Sequence, residues 1–155
     1  MSAVDGESPL YATFRPRRGR QTAVWVGTAQ AVLFLLVALV LPNGGEIGFH
    51  WFDRLGLVLV SAAIALLLWR FARLAVMVDE QGLVVRNLAA DRRLDWAEVL
   101  AVRFGGGQPW VTLDLADGEP MAVMAIQRAD AAFGEAEAHR LARLVAMHTR
   151  TERDS

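Results

Sequence analysis

The chain has 155 residues, of which 54% are hydrophobic, and its formal net charge is −1. A near-neutral chain has no electrostatic bias towards nucleic acid, which would require a large positive excess. It contains no cysteine, so disulfide bonds and thiolate chemistry are excluded.

Residues 1–21 contain few apolar side chains, two prolines and several arginines. They show neither a helical nor a strand period, which predicts a flexible cytoplasmic arm. Arginines next to a membrane are attracted to anionic headgroups. The arginines that we assign to this role and to membrane orientation are Arg15, Arg17, Arg18 and Arg20.

Two apolar runs, residues 22–41 and 52–69, predict a two-helix transmembrane hairpin over residues 22–70. The first run carries no charge over 20 residues. As a helix it would be about 30 Å long, the thickness of the hydrocarbon core of a bilayer. The second run has a shorter uncharged core, but aromatic residues flank both of its ends, as in interfacial belts. The connection at 42–51 contains Pro and Gly and predicts a tight outer turn.

Small and polar residues inside the runs indicate helix packing. Gln30 is the one strongly polar side chain of the first run, and in hydrocarbon it favours a hydrogen bond across a helix interface. Gly27 with Ala31, and Ser61 with Ala65, have the spacing that lets helices approach closely. Packing within the hairpin and formation of a homo-oligomer are both consistent with this pattern.

The distribution of charge predicts the orientation. The arginines of the arm precede the first run, and Arg70 and Arg73 follow the second, whereas the turn and its flank carry Glu46, Asp53 and Arg54. The positive-inside rule then predicts a multi-pass protein of the cell inner membrane with both termini cytoplasmic. A cleaved signal peptide is the alternative, but the first run is too long and lacks a small-x-small cleavage site.

From residue 71 onward the pattern changes to short β-rich runs, and we assign residues 71–149 to one domain and 150–155 to a tail. LAVMV, DEQG and LVVRNL predict a β-hairpin. Five to six strands at this spacing predict a small antiparallel barrel or sandwich. Asp130 can cap a final amphipathic helix that closes the barrel. Its predicted apolar stripe consists of Phe133, Ala138, Leu141, Leu144, Val145 and His148. The residues predicted to face water are Glu135, Glu137, Arg140 and Arg143.

No metal or catalytic site is predicted, and we expect neither a cofactor nor enzymatic activity. The three histidines are too widely spaced in the sequence to indicate a zinc site. Asp91, Asp95 and Glu98 could act as paired carboxylates. The favoured interpretation is structural, with Asp95 capping a bend between strands and Trp96 filling the end of the barrel.

The candidate contacts for lipid or for a protein partner are Arg86, Arg92 and Arg93, which lie on or beside predicted strands. Thirteen acidic residues between residue 71 and residue 155 argue against a nucleic-acid surface. A solvated face of mixed charge is the alternative interpretation. Trp110 lies close to a triple glycine. The sequence does not decide whether its side chain belongs to the core or forms an exposed contact.

Three motifs carry a resemblance to a known family: VMVDEQGLVVRN, RRLDWAEVLAVRF and LADGEPMAVMAI, followed by a helix. Together they resemble the bacterial pleckstrin-homology-like (PH-like) domain of small actinobacterial membrane proteins, in which two transmembrane helices precede the domain. The resemblance implies an α+β or all-β fold, an antiparallel barrel of six to seven strands closed by a C-terminal helix. It also implies a scaffold for binding, and the first hairpin loop lacks the basic residues used by phosphoinositide-binding members.

These features predict a non-enzymatic binding or assembly module at the cytoplasmic face of the inner membrane. The bilayer is one expected partner and a protein is the other, recruited at an exposed sheet edge or beside the C-terminal helix. The alternative is a reader of anionic lipid headgroups or a membrane-surface sensor.

Overall fold

The computed structural model describes residues 9–42 and 50–153. The chain divides into two compact units. One is a helical hairpin formed by Gly19–Arg73. The other, which we call the tail domain, combines Leu74–Ser155 with Met1–Arg18.

The hairpin contains two helices, α1 (Arg17–Val40) and α2 (Trp51–Ala72). Both are long and apolar enough to cross a membrane, with mean hydropathy of 2.3 and 2.2 over their most apolar windows. Of those windows, 11% and 0% are buried within the protein, so the apolar surface faces outward. Such surface indicates membrane association. Most of the predicted outer turn, at 43–49, lies outside the described residues.

Small and polar side chains join α1 to α2. Gln30 Nε2 donates a hydrogen bond to Ser61 Oγ at 3.1 Å. A Cβ atom on Gly27 would lie 3.3 Å from Leu68 Cδ1, so the glycine allows close approach of the two helices. The sequence left open whether these residues pack the hairpin or join two copies of the chain. In the structure, Gln30, Gly27 and Ser61 make contacts within the hairpin.

The tail domain consists of two three-stranded antiparallel sheets and a helix, with strand orders β1-β2-β3 and β4-β5-β6. The first sheet contains β1 (Ala75–Val78), β2 (Gly82–Arg86) and β3 (Asp91–Asp95). The second contains β4 (Val99–Arg103), β5 (Trp110–Leu115) and β6 (Pro120–Gln127), and α3 (Ala132–Arg153) follows it.

The first hairpin of the domain forms as the sequence predicts. Asp79 Oδ1 accepts hydrogen bonds from the backbone N–H groups of Gln81 and Gly82, at 2.9 and 2.8 Å. A short polar side chain that binds its own turn in this way favours the reversal of the chain. At Gly82 any Cβ would overlap the Leu94 carbonyl oxygen, so the close approach of β2 and β3 requires glycine.

The core lies between the two sheets and beneath α3. In β5 the side chains alternate, with Val111, Leu113 and Leu115 buried and Trp110 on the opposite, partly exposed face. The predicted apolar stripe of α3 is confirmed, since its aliphatic side chains are buried against the sheets. Trp96 is 2% exposed and lies in the short 3-10 helix between β3 and β4, where Glu98 accepts a hydrogen bond from Asp95 N.

The predicted closed barrel is not found among the described residues, which form six strands in two separate sheets. In the part of the chain that the structure describes, no strand ladder joins the first sheet to β6. Instead the side chain of Asn87, just after β2, donates to Ala122 O at 2.6 Å and accepts from Met124 N at 3.2 Å. One side chain therefore satisfies backbone groups that a barrel would satisfy with a neighbouring strand.

Asn87→Ala is expected to destabilise the tail domain by about 1–2 kcal/mol, because two backbone groups of β6 lose their partners. Hydrogen–deuterium exchange at Met124 N–H in the full-length protein should report the loss directly. Asn87→Asp is the informative comparison, since it keeps an acceptor for Met124 N–H but lacks a donor for Ala122 O. Unchanged exchange in the alanine variant would contradict this role.

The sequence predicted residues 1–21 as a flexible arm, but the described part of this segment is structured. A 3-10 helix covers Pro9–Tyr11, Phe14 is fully buried in the core of the tail domain, and α1 begins at Arg17. The difference arises because Phe14 pairs with Val76 through two backbone hydrogen bonds, at the edge of β1 that β2 leaves open. We call residues 10–18 the strap.

Candidate functional site

The three arginines proposed as contacts do not form a bare basic patch. Arg86 Nε lies 3.6 Å from Asp91, Arg92 lies 3.0 Å from Asp117, and Arg93 lies 3.3 Å from Asp79. These distances join a guanidinium nitrogen to a carboxylate oxygen in each pair. All three pairs are substantially exposed, so each contributes little stability. Each arginine has an aspartate beside it, as in the solvated face of mixed charge that was the alternative interpretation. A phosphate bound to any of these arginines would have to compete with that carboxylate.

Asp117 is the acceptor of the Arg92 pair and lies in the turn between β5 and β6. The backbone N–H of Glu119 and the guanidinium of Arg92 both bind its carboxylate, and they lower the pKa of Asp117 below its ordinary value. A carboxyl group whose pKa is lowered on folding stabilises the folded state at pH values above its unfolded-state pKa. That contribution disappears as the pH falls through the lower, folded-state pKa.

We expect Asp117→Asn to be slightly less stable than the parent at neutral pH. The difference should begin to shrink below about pH 4 and should vanish once the pH has fallen through the lower, folded-state pKa, where the parent aspartate is also protonated. Thermal unfolding from pH 7 to pH 2 measures it. Glu119→Gln is the matched control, because it removes a charge from the same turn and leaves the Asp117–Arg92 pair in place. A difference from the parent that stays constant over this range would contradict the linkage.

The orientation arginines occupy the ends of the two apolar helices. Arg15, Arg17 and Arg18 belong to the strap, and the guanidinium of Arg17 lies 4.1 Å from the centre of the Phe133 ring. The other three belong to the hairpin unit and are Arg20, Arg70 and Arg73. Within it, Arg73 lies 4.7 Å above the Trp69 ring.

The strap lies in a groove between the open edge of β1 and one face of α3, which we call the strap groove. Phe14 N donates to Val76 O at 2.9 Å, and Val76 N donates to Phe14 O at 3.0 Å. This is antiparallel pairing, and it satisfies the edge of β1 in the manner of an added strand. Phe14 inserts its ring into the core, whereas Ala12 and Thr13 beside it stay exposed.

Arg140 on α3 is the principal polar group of the strap groove. Its guanidinium donates to Leu10 O at 2.9 Å and to Ala12 O at 2.7 Å, and it stacks on the Phe14 ring at 3.7 Å. Glu137 holds it through a carboxylate 2.7 Å away. The side chains of Arg140 and Glu137 are 12% and 16% exposed, so the prediction that they face water was wrong, whereas Glu135 and Arg143 are exposed as predicted. The reason is that they bind a segment distant in the sequence.

An aromatic cluster holds the other end of the strap. Tyr11 Oη lies 2.9 Å from His148 Nε2, and the His148 ring stacks on Trp96 with ring centres 4.6 Å apart. Trp96 in turn donates its indole N–H to Asp79 O at 3.0 Å. His148 is thus a packing and hydrogen-bonding residue on the apolar face of α3.

Asp130 binds the strap where it becomes helix α1. Its carboxylate accepts from Arg17 N and Arg18 N, each at 3.1 Å. The first turn of α1 contains arginines and no acidic residue, which is unfavourable at the positive end of a helix dipole. Asp130 supplies the missing negative charge. It therefore caps α1, whereas the sequence predicted that it would cap the C-terminal helix.

A second concave surface of about 740 Å³ lies over β4, β5 and β6 beside the triple glycine. Trp110 and Phe104 line it, so the question left open for Trp110 is answered in favour of the exposed side of the sheet. Arg103 also lines it and pairs with Asp114. All three glycines of the loop have positive φ angles, which favour glycine.

Among the described residues, no three His, Asp or Glu side chains are placed where they could hold a metal ion. The hydrogen bonds of the strap groove are instead made mainly to backbone N–H and C=O groups of the strap. Sequence reasoning missed Phe14, Arg140 and Asp130 as residues of a site. Their partners lie more than 60 residues away in the sequence, and no local pattern marks such contacts.

Residues 73–144 match a family model described as bacterial PH domain. Similar proteins are an uncharacterised protein of Mycobacterium bovis and one of Mycobacterium tuberculosis. Each is 49% identical over 76 residues, which cover 49% of this chain and 46% of the relative. The match thus spans about half the length of the curated relatives. No solved structure matches the chain.

Proposed function

We propose that this chain, in which a segment matching the bacterial PH domain model (residues 73–144) follows two apolar helices, is a membrane-anchored, non-enzymatic binding or assembly module. We place it at the cytoplasmic face of the inner membrane. PH domains are in general binding modules rather than catalysts, and the mycobacterial relatives are consistent with an actinobacterial protein. The bilayer holds the hairpin, and the tail domain recruits a protein.

The observation that carries this proposal is the composition of the tail domain. It combines the strap, which precedes α1, with the strands that follow α2. If both helices span the bilayer, these two parts can fold together only on one side of it. The arginine distribution makes that side the cytoplasm. Fold and charge thus support the same topology by independent physical reasons.

Chain connectivity supports a docking role for the tail domain. Only Arg73 and Leu74 separate α2 from β1, so no flexible linker follows the second span. We favour a protein over a lipid headgroup as ligand, because Arg86, Arg92 and Arg93 each pair with an aspartate. The open edge of β3, which carries Arg92 and Arg93, offers backbone groups to an added strand.

Photocrosslinking in intact membranes tests the ligand class. A photoreactive amino acid at Arg93 on β3 is expected to yield protein adducts that mass spectrometry can identify. The same group at the exposed Glu135 of α3 serves as a control for non-specific capture. Adducts with lipid headgroups at position 93 would support the alternative of a headgroup reader. Adducts between two copies would instead support a homo-oligomer.

The absence of cysteine makes the topology directly measurable. Single variants Thr13→Cys and Ala146→Cys, both at exposed positions, should react with a membrane-impermeant maleimide only after the cells are opened. Asn43→Cys, between the two spans, should react in intact spheroplasts. Labelling of residue 13 or 146 in intact spheroplasts would contradict the proposed orientation.

A further inference from the structure

We propose that the strap groove is a peptide-recognition site that this chain fills with its own residues 10–18, and that a peptide segment of a partner protein takes the place of the strap. This inference rests on the proposed function and adds a second recruiting surface to the open edge of β3. The segment that fits must carry two aromatic side chains three residues apart, as Tyr11 and Phe14 are, and must leave its backbone carbonyls accessible to Arg140.

The polar contacts of the groove are directed at backbone atoms. Val76 exchanges two hydrogen bonds with the backbone of Phe14, and Arg140 reads the carbonyls of Leu10 and Ala12. Asp130 reads two further N–H groups. Another chain that follows the same backbone path, a short 3-10 turn, an extended stretch and the start of a helix, presents the same carbonyl and N–H groups, so recognition of this kind does not depend on the identity of most side chains.

Side-chain selectivity comes from two aromatic anchors. Phe14 is fully buried beneath the Arg140 guanidinium, and Tyr11 reaches His148 with its hydroxyl. Ala12 and Thr13, between them, are exposed. A few buried aromatic anchors separated by exposed positions are typical of short peptide ligands.

The groove and its occupant come from different parts of the chain. Val76 and Arg140 lie within the segment that matches the bacterial PH domain, residues 73–144, whereas the strap lies outside it. The whole hairpin, Gly19–Arg73, separates the strap from β1. The matched domain and His148 just beyond it therefore supply the walls, and a segment distant in the sequence supplies the ligand, which another polypeptide of similar chemistry can replace.

Binding of a synthetic peptide to the full-length protein in detergent micelles tests the proposal. The probe is a fluorescent peptide with the sequence of residues 8–17, SPLYATFRPR, and its control is SPLAATARPR, which has the same charge. We expect the probe to bind Tyr11→Ala/Phe14→Ala at least tenfold more tightly than the parent, because the strap of the parent competes for the groove. The control peptide should bind neither protein above background.

Two further results are expected. The probe should raise the thermal unfolding midpoint of the double variant, because a ligand that binds only the folded state stabilises it. Adding Arg140→Met to the double variant should weaken probe binding at least tenfold. Equal affinity for parent and variant, or a folded variant that binds no probe, would overturn the proposal.

A photoreactive probe on the parent protein covers the case in which the double variant does not fold. Labelling of β1 or α3 in the parent would then support exchange of the strap. No labelling, together with no rescue of the variant by the probe, would make the strap an inseparable part of the core and overturn the proposal.

Adducts between two copies that the probe displaces would assign the groove to a second copy, and so overturn the assignment to a partner protein. Protein adducts formed at Arg93 on β3 are a separate result. They would support the proposed recruitment of a protein even if the strap groove binds no partner.

Discussion

Replacing Phe14 by alanine is expected to lower the free energy of unfolding of the tail domain by about 3–5 kcal/mol. The ring is fully buried in the core, so its removal leaves a cavity and also deprives the Arg140 guanidinium of its stacking partner. Hydrogen–deuterium exchange of the β1 and β2 amides in the full-length protein measures the loss, since these amides report opening of the tail domain.

Thr13→Ala is the matched control for Phe14→Ala. Thr13 is the neighbouring residue of the strap and is exposed, so its replacement should change the free energy of unfolding by no more than about 0.5 kcal/mol. If the two variants behaved alike, residues 10–18 would be the flexible arm predicted from sequence, and the strap would contribute nothing to the core.

Arg140→Met should also be strongly destabilising, by about 3–5 kcal/mol. Methionine keeps part of the apolar stem but leaves Glu137 without its cation and the carbonyls of Leu10 and Ala12 without their donor. The side chains of the ion pair are 12% and 16% exposed, so water can replace the lost partners only in part. Urea unfolding monitored by hydrogen exchange of the α3 amides gives the change.

Arg143→Met separates the specific role of Arg140 from a general effect of charge. Arg143 is exposed on the same helix, so its replacement should be nearly neutral. The double variant Phe14→Ala/Arg140→Met should lose less than the sum of the single losses, with a coupling of about 0.5–3 kcal/mol, because the two groups are in contact. Strict additivity would show that Arg140 acts independently of the strap.

Local patterns were sufficient for a large part of this structure. The two apolar helices, the turn at Asp79 and the bend at Trp96 follow from helical period, turn chemistry and capping within a few residues. The six strands and the C-terminal helix follow from changes of period along the chain. Each of these features depends on residues close together in sequence, where alternation and capping leave a readable signal.

Three features required the tertiary structure. Asn87 bonds to the backbone of β6 from 35 and 37 positions away. Asp130 caps α1 across 112 and 113 positions, and Arg140 binds strap carbonyls across 128 and 130. An arginine on a helix, or an aspartate after a strand, has the same local sequence whether its partner is water or a distant backbone.

The amino-acid sequence alone determined the order and type of the elements, because apolar period and turn residues act over short stretches of chain. The tertiary structure decided which segment completes the tail domain. An open strand edge and a buried guanidinium need partners, and the partner is fixed by proximity in space after folding. In this protein the segment before α1 meets that need.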